Sequence, residues 1–380
     1  LSTDNIYTNA RVVTRDEEFR GTVRVTRGKI TDISRGGTSV PAAEDWNGDY
    51  LLPGLIELHT DNLEKHLMPR PRVHWPAFPA LLSHDAEVAA AGITTVFDAL
   101  GVGDMDEEAL RGQDMRPLLD SLDDAERDGI LRADHKLHVR CELPAPNATR
   151  LFEPFMGNSR VALISLMDHT PGQRQWTNIE KARTYYTGKK GWSDQKFDRV
   201  VGESVDLQRQ YAGPHRSYFV NYARANGIPL ASHDDTTAEH VEQARAEGIS
   251  ISEFPTTALA AGNARRAGLG TIMGAPNVVR GGSHSGNACA TQMAREGLLD
   301  VLSSDYVPSS LLHAAFLLIE RAGYTVPRAV ATVSSNPAGL AKLDDRGEIS
   351  VGRRADLSRV KLSRGLPSVL SVWREGRRIV

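Results

Sequence analysis

A (β/α)8 barrel with a small β-sandwich domain built from both chain ends is the fold this sequence predicts. Three observations predict it. Extended apolar runs alternate with helical patterns through the middle of the chain, the signature of βαβ units and a parallel sheet. Short strand-and-turn patterns without a helical stripe occupy both ends. The length of 380 residues exceeds the roughly 250 residues of such a barrel by enough for one small appended domain.

The ends read alike. Residues 9–14 form a strand, and 21–26 alternate, turn at Arg27-Gly28-Lys29 and resume over 30–33. At the far end, 344–347 turn, 349–351 are extended, and 369–380 suggest a hairpin through Glu375-Gly376. Neither end can bury a core alone. Residues 1–50 and 345–380 are therefore expected to join as one composite β domain beside a barrel of 51–344. The eight barrel strands are placed at 51–59, 94–99, 137–143, 161–169, 229–233, 249–253, 270–275 and 300–305. Helical patterns fall at 81–91, 115–128, 194–226, 238–247, 257–267, 288–296 and 310–322. The stretch 185–215 is longer than a crossover needs, which suggests a cover over the active face.

A net charge of -3 with 40% hydrophobic residues is an ordinary globular composition. It argues against a general nucleic-acid binder. No run approaches about 18 apolar residues, so no membrane span is expected. Residues 1–15 are polar and lack an apolar signal core. The two cysteines, Cys141 and Cys289, argue against a disulfide framework and fit a reducing compartment. A cytoplasmic protein is expected.

Barrel enzymes carry their chemistry at the C-terminal ends of the strands. Here those ends are rich in metal-ligand types. The first strand ends in Leu55-Ile-Glu-Leu-His-Thr-Asp61. Side-chain alternation puts Glu57, His59 and Asp61 on one face and Ile56, Leu58 and Thr60 on the other. In the third strand Leu137, Val139, Cys141 and Leu143 face the helices, and Glu142 ends the opposite face, where it could bridge two metals. The fourth strand ends in Asp168-His169, the fifth in His233-Asp234-Asp235 and the eighth in Asp305. A single His or Asp at a strand end is usually a cap or a satisfied buried group. Six together, His59, Asp61, Glu142, His169, His233 and Asp305, point to a metal centre. Imidazole and carboxylate suit Zn²⁺, as one or two ions, with Mn²⁺ or Fe²⁺ as alternatives. Asp98, Asp168, Asp234 and Asp235 are read as supporting groups, and Glu253 is left unassigned.

Basic residues crowd the loops of the same end. Lys65, His66, Arg70, Arg72 and His74 follow the first strand, and Arg174 follows the fourth. After the seventh comes Asn277-Val-Val-Arg280-Gly-Gly-Ser-His284-Ser-Gly-Asn287, whose glycines allow close backbone approach to an anion. Any one of these is ordinarily a solvated charge. Their concentration favours a phosphorylated substrate, contacted by Lys65, Arg70, Arg72, Arg174, Asn277, Arg280 and His284.

Several long blocks resemble one branch of the amidohydrolase superfamily. They are residues 53–66, 69–76, 167–175, 231–235, 274–287 and 304–308. That branch is the diphosphatases of the carbon–phosphorus lyase pathway of phosphonate metabolism. The resemblance spans nearly the whole chain. It implies hydrolysis of α-D-ribose 1-methylphosphonate 5-triphosphate to the 5-phosphate and diphosphate. Asp305 would then orient the attacking water and accept its proton. One departure stands out: the first strand carries His-Thr-Asp where most of the superfamily carries two histidines, so Asp61 is a ligand or a supporting group. The competing function is cleavage of a C–N bond by a metal-dependent amidohydrolase or deaminase. A scaffold that had lost its metals should lack several of these ligands. The expected partner is a small phosphorylated sugar-phosphonate, with no nucleic acid and no membrane. A homo-oligomer is compatible with the sequence.

Overall fold

The computed structural model describes residues 5–70, 73–104, 113, 115–176, 179–283 and 286–380. Eight parallel strands form the barrel: Leu55–Thr60, Ile93–Val102, Asp134–Glu142, Val161–Met167, Leu230–His233, Ile251–Glu253, Gly270–Gly274 and Val301–Ser303. They lie side by side in chain order. The first and eighth meet at a single parallel bridge, Thr60 to Asp305. Each placement made from the sequence corresponds to one of these strands.

The barrel has an apolar interior. Ile56, Leu58, Phe97, Leu163, Ala231, Ile251, Ile272 and Val301 form one buried cluster. Seven of the eight strands contribute to it, so it can lie only inside the closed sheet. Ile56 and Leu58 were expected on the face opposite His59, yet they lie inside the barrel and His59 at its mouth. The first strand shifts register against the second at Leu55/Ile56 and again at Glu57/Thr60. These irregularities break simple alternation. They bring Leu58 inward without turning His59 away from the mouth.

Both chain ends build a second, mixed sheet. Its strands are Asn5–Val13, Glu18–Thr26, Lys29–Arg35, Ala43–Asp45, Tyr50–Pro53, Leu357–Ser363, Leu366–Arg374 and Arg377–Arg378. Hydrogen bonds join these strands into one continuous curled sheet. The third strand curls round far enough for Lys29 to pair with Arg354 and for the Ile30 amide to donate to the Arg353 carbonyl at 2.9 Å. Tyr7, Trp46 and Trp373 cluster in its core at ring separations of 4.9 to 5.4 Å, the two tryptophans stacked and the tyrosine tilted against both. The expected first barrel strand spans two sheets. Tyr50–Pro53 pairs with Leu357–Ser363, and Leu55–Thr60 joins the barrel. Gly54 sits at the changeover, where a Cβ would lie 2.3 Å from Thr94 Oγ1. Only glycine fits so close an approach.

The long insertion has its own small core. Helices Ile179–Lys190 and Asp194–Leu207 enclose Trp176, Ala182 and Phe197. A π-turn over Gln208–Ala212 joins the second to helix Gly213–Ala225. No described side chain of these helices lines the mouth of the barrel.

A buried polar network ties the helix layer to the outside of the barrel. Asp98 accepts from His84 Nε2 at 2.7 Å and from His135 Nδ1 at 2.8 Å. His135 Nε2 lies 3.3 Å from Asp85. Both nitrogens of His135 face carboxylates, so both carry protons. Burial opposes that charge, but the charges of Asp98 and Asp85 and their hydrogen bonds push the His135 pKa up to about 10. Burial likewise would raise Asp98, yet His135 and His84 hold it below the usual carboxylate range.

The sign of the pH effect follows. A pKa raised in the folded state stabilises fully below the unfolded value of about 6.5, and the benefit is lost as pH rises through the folded value. Asp98 contributes above about 4 and loses its contribution in acid. His135→Gln should therefore cost about 3 kcal/mol near pH 6, the scale of a broken buried pair. The cost should shrink towards about pH 10. Urea denaturation of both proteins at the two pH values checks this; an equal cost at both would show that His135 carries no proton.

Candidate metal centre

The mouth of the barrel is a cavity of about 660 Å³, lined among others by His59, Arg140, His169, His233, Asp234 and Asp305. The first strand delivers His59 and then Asp61. His59 is 1% exposed, and its Nδ1 lies 2.7 Å from Glu253 Oε1. The other oxygen of Glu253 lies 2.9 Å from His233 Nδ1. An ionised carboxylate only accepts, so each ring donates Nδ1–H to Glu253 and turns its Nε2 to the mouth. His169 repeats the arrangement. Its Nδ1 is 2.5 Å from Glu142 Oε2, and its amide donates to Glu142 Oε1 at 2.9 Å.

The three Nε2 atoms meet carboxylates at the mouth. His59 Nε2 is 3.5 Å from Asp61, His233 Nε2 is 3.6 Å from Asp234, and His169 Nε2 is 3.9 Å from Asp234. Among the groups of ligand atoms that converge within 4.8 Å, two combine histidines with aspartates of this cavity or its edge: His59, Asp61 and Asp305, and His169, His233 and Asp234; a third, His59, His138 and Glu253, is fully buried beside them. Asp234, Phe254 and Asp305 adopt left-handed backbone with φ of 57°, 54° and 55°. Such geometry is uncommon outside glycine. It occurs here at three strand ends, where it turns the chain and leaves Asp234 and Asp305 at the cavity.

The field at the mouth favours a cation. Burial opposes a charge on His59, but Glu253 outweighs it and pushes the His59 pKa up to about 10. The same negative field attracts a metal. Burial would raise Glu253, yet His59, His138 and His233 hold it well below the usual range. Burial raises Asp305, with His59 opposing and Asp61 adding. Arg140 forms an ion pair with Asp61. His138, pushed down to about 3 mainly by burial, donates Nδ1–H to the Leu58 carbonyl at 2.9 Å. Its buried Nε2 has no partner among the described residues.

The other residues singled out in the sequence divide. Glu142 does not reach between two ligand groups; both of its oxygens are engaged by His169. Arg174 does not face the cavity. It is 5% exposed and donates to the His233 carbonyl at 3.0 Å and to Asp235 at 2.6 Å. Asp235 gathers it because the Ser232 and Ser252 hydroxyls also donate to that carboxylate. Lys65 is spent on Asn62 Oδ1 and the Tyr306 carbonyl, at 3.1 and 2.8 Å. Arg70 is exposed and away from the cavity lining. Asn277 lines the cavity, and its side chain staples the following loop by bonding the Ala288 carbonyl and the Ala290 amide, each at 2.9 Å. Arg280 lines the cavity. Arg72 and His284 lie outside the described residues.

Sequence reasoning left out Glu253, His138 and Arg140 and ranked Asp234 low. Glu253 could have been found, because it ends a barrel strand as the ligands do.

No protein-family model matches the chain. The chain is 44% identical over 376 residues to the α-D-ribose 1-methylphosphonate 5-triphosphate diphosphatase of Escherichia coli K12, covering 98% of this chain and 100% of that one. An allantoinase from Streptomyces avermitilis is 34% identical over 96 residues, 24% of this chain and 20% of its own. Among solved structures, 5-methylcytosine deaminase from Klebsiella pneumoniae superposes with a TM-score of 0.64 at 16% identity, covering 99% of this chain and 98% of that one. Dihydropyrimidinase from Brevibacillus agri gives 0.58 at 13%, covering 100% and 95%. At such identities the structures speak for the fold alone. The sequence identity along the full length goes further: the chain belongs to the α-D-ribose 1-methylphosphonate 5-triphosphate diphosphatase family.

Proposed function

We propose that this chain hydrolyses α-D-ribose 1-methylphosphonate 5-triphosphate, releasing diphosphate and leaving the 5-phosphate on the ribose. The observation that carries this reading is the full-length similarity to the Escherichia coli diphosphatase. The geometry of the mouth supports a metal-dependent hydrolysis in the same place.

The donor set fits divalent cations. His59, Asp61 and Asp305 would hold one, and His169, His233 and Asp234 a second. Glu253 and Glu142 would orient the imidazoles rather than bind metal, the usual task of a carboxylate behind a ligating histidine. Imidazole Nε2 atoms, which give up any proton on ligating, suit Zn²⁺ first with these carboxylates and Mn²⁺ or Fe²⁺ second. When bound, such ions neutralise phosphoryl charge and lower the pKa of water to about 7.

The protein's own groups do the rest. Water attacks the phosphorus nearest the ribose, and the bond from that phosphorus to the bridging oxygen of the departing diphosphate breaks. Asp305 takes the proton from the attacking water at a carboxylate oxygen. Burial raises its pKa, which strengthens it as a base. Arg140 holds Asp61 in place and adds positive charge beneath the reacting phosphoryl group. Arg280, exposed at the rim, meets the charge of the departing diphosphate. No helix among the described residues is long and apolar enough to cross a membrane.

Phosphorus NMR of the metal-loaded protein with the triphosphate tests the reading: diphosphate and a ribose 5-phosphate should appear together. Turnover of a cyclic amide with no diphosphate release would instead favour the C–N hydrolase. Asp305→Asn should lower kcat by about 10²–10⁴-fold, the span of general-base catalysis. Full turnover with normal metal content would remove Asp305 as the base. Glu253→Gln should weaken metal binding by about 10–100-fold, read by competition with a chromogenic chelator. Unchanged affinity would mean that the carboxylate does not orient the ligands.

A further inference from the structure

Outside the mouth, three arginines share one groove with no acid lining it. The groove has a volume of about 490 Å³ and is lined by Arg280, Arg295 and Arg321 with Cys289, Thr291 and Gln292. Its residues come from or adjoin helices Ala275–Arg280, Ala290–Arg295 and Ser310–Ala322. The chain is net acidic at -3, yet none of the three guanidinium groups pairs with a carboxylate among the described residues. Two of them are held by neutral carbonyls. Arg295 Nε donates to the Arg321 carbonyl at 2.7 Å, and Arg321 Nη1 donates to the Val278 carbonyl at 2.6 Å. Carbonyls orient guanidinium groups without neutralising them, so like charges stand together and their remaining donors stay available.

A second observation points to a ligand. Thr291 is 7% exposed, lines the groove, and its buried Oγ1 has no hydrogen-bond partner among the described residues. Buried hydroxyls are ordinarily paired. A phosphate-type oxyanion satisfies both needs. Its oxygens accept from guanidinium forks and from a hydroxyl, and its charge offsets the arginines. Arg280 lines this groove and the mouth cavity alike, so the two are adjacent.

We propose that Arg295, Arg321 and Thr291, with Arg280, form an accessory site for a phosphoryl group. Two sources share that chemistry. One is the distal phosphate of the polyphosphate whose reacting phosphorus lies in the mouth, and this source rests on the function proposed above. The other is free inorganic phosphate or diphosphate, which does not.

The test is calorimetric titration of inorganic diphosphate into the metal-loaded protein, comparing wild type with Arg295→Ala, Arg295→Lys and Thr291→Val. Arg295 is exposed, so its replacement should leave the thermal unfolding midpoint unchanged. Arg295→Ala should raise the dissociation constant about tenfold or abolish one of two binding events, and Arg295→Lys should retain most of the binding. Thr291→Val should weaken binding by a smaller factor. Steady-state kinetics separates the sources. The distal-phosphate source predicts a raised KM for the triphosphate in Arg295→Ala with kcat little changed. The free-anion source predicts an unchanged KM with one diphosphate fewer bound. Unaltered affinity, stoichiometry and KM in both Arg295→Ala and Thr291→Val would overturn the site. Loss of diphosphate binding in a protein that hydrolyses no triphosphate would support the site while refuting the proposed reaction.

Discussion

One buried carboxylate sets the geometry of the mouth. Glu253 accepts a hydrogen bond from His59 on one side and from His233 on the other. Its partners differ in kind. His233 lies directly beside it, on the neighbouring fifth strand, in register with Glu253. His59 reaches it across the barrel, from a strand with which the sixth does not pair. Burying a carboxylate without donors is costly, so the two rings cannot turn away without stranding its charge. The bond to Glu253 also decides which ring nitrogen turns to the mouth. A cross-barrel tie thus fixes both the position and the chemistry of two candidate ligands.

The seam of the barrel does comparable work with weaker means. The first and eighth strands share one bridge, too little ladder to hold two strand ends in place. Side chains supply the difference. Glu57 accepts from the amides of His59 and Ser304, at 2.6 and 2.5 Å. Thr60 Oγ1 donates to the Asp305 carbonyl at 2.7 Å, and the Asp61 amide donates to the same oxygen at 2.9 Å. His59, Asp61 and Asp305 are therefore neighbours because the barrel closes between them. Burial pushes the Glu57 pKa up to about 7, opposed by its bonds to Ser304 and His59. The carboxyl is retained there because closure needs acceptors for two amides.

The barrel was legible because strand spacing and helix patterns are local properties. The strand ends were legible too, since His and Asp there stand out against apolar runs. What was not legible depends on distant partners. Glu142 and Glu253 both end strands as carboxylates, and nothing local says that each is claimed by an imidazole from elsewhere in the chain. Arg174 sits in an active-face loop like a substrate contact, but Asp235 and the His233 carbonyl draw it under the fifth strand. Simple alternation put Leu58 and His59 on opposite faces, because a register shift between paired strands is not visible in the residues of one strand.

Residue type does not by itself make a metal site, and a second cluster in this protein shows why. His84, Asp98 and His135 also converge within ligand distance and are fully buried. There every ring nitrogen is engaged. Asn62 is oriented by donating to Glu87 at 2.8 Å, so its amide nitrogen also donates to His84 Nδ1 at 3.1 Å. That leaves His84 Nε2 to donate to Asp98, and His135 gives a proton to a carboxylate from each nitrogen. A cation could enter only by displacing protons and breaking bonds on all sides. At the mouth, Glu253 and Glu142 accept the Nδ1–H groups of His59, His233 and His169, and the Nε2 atoms of all three face carboxylates across 3.5 to 3.9 Å. A cation that takes the place of a proton there meets those carboxylates without breaking the Nδ1 bonds that hold the rings. That arrangement, rather than the count of histidines, distinguishes a metal centre from a structural network.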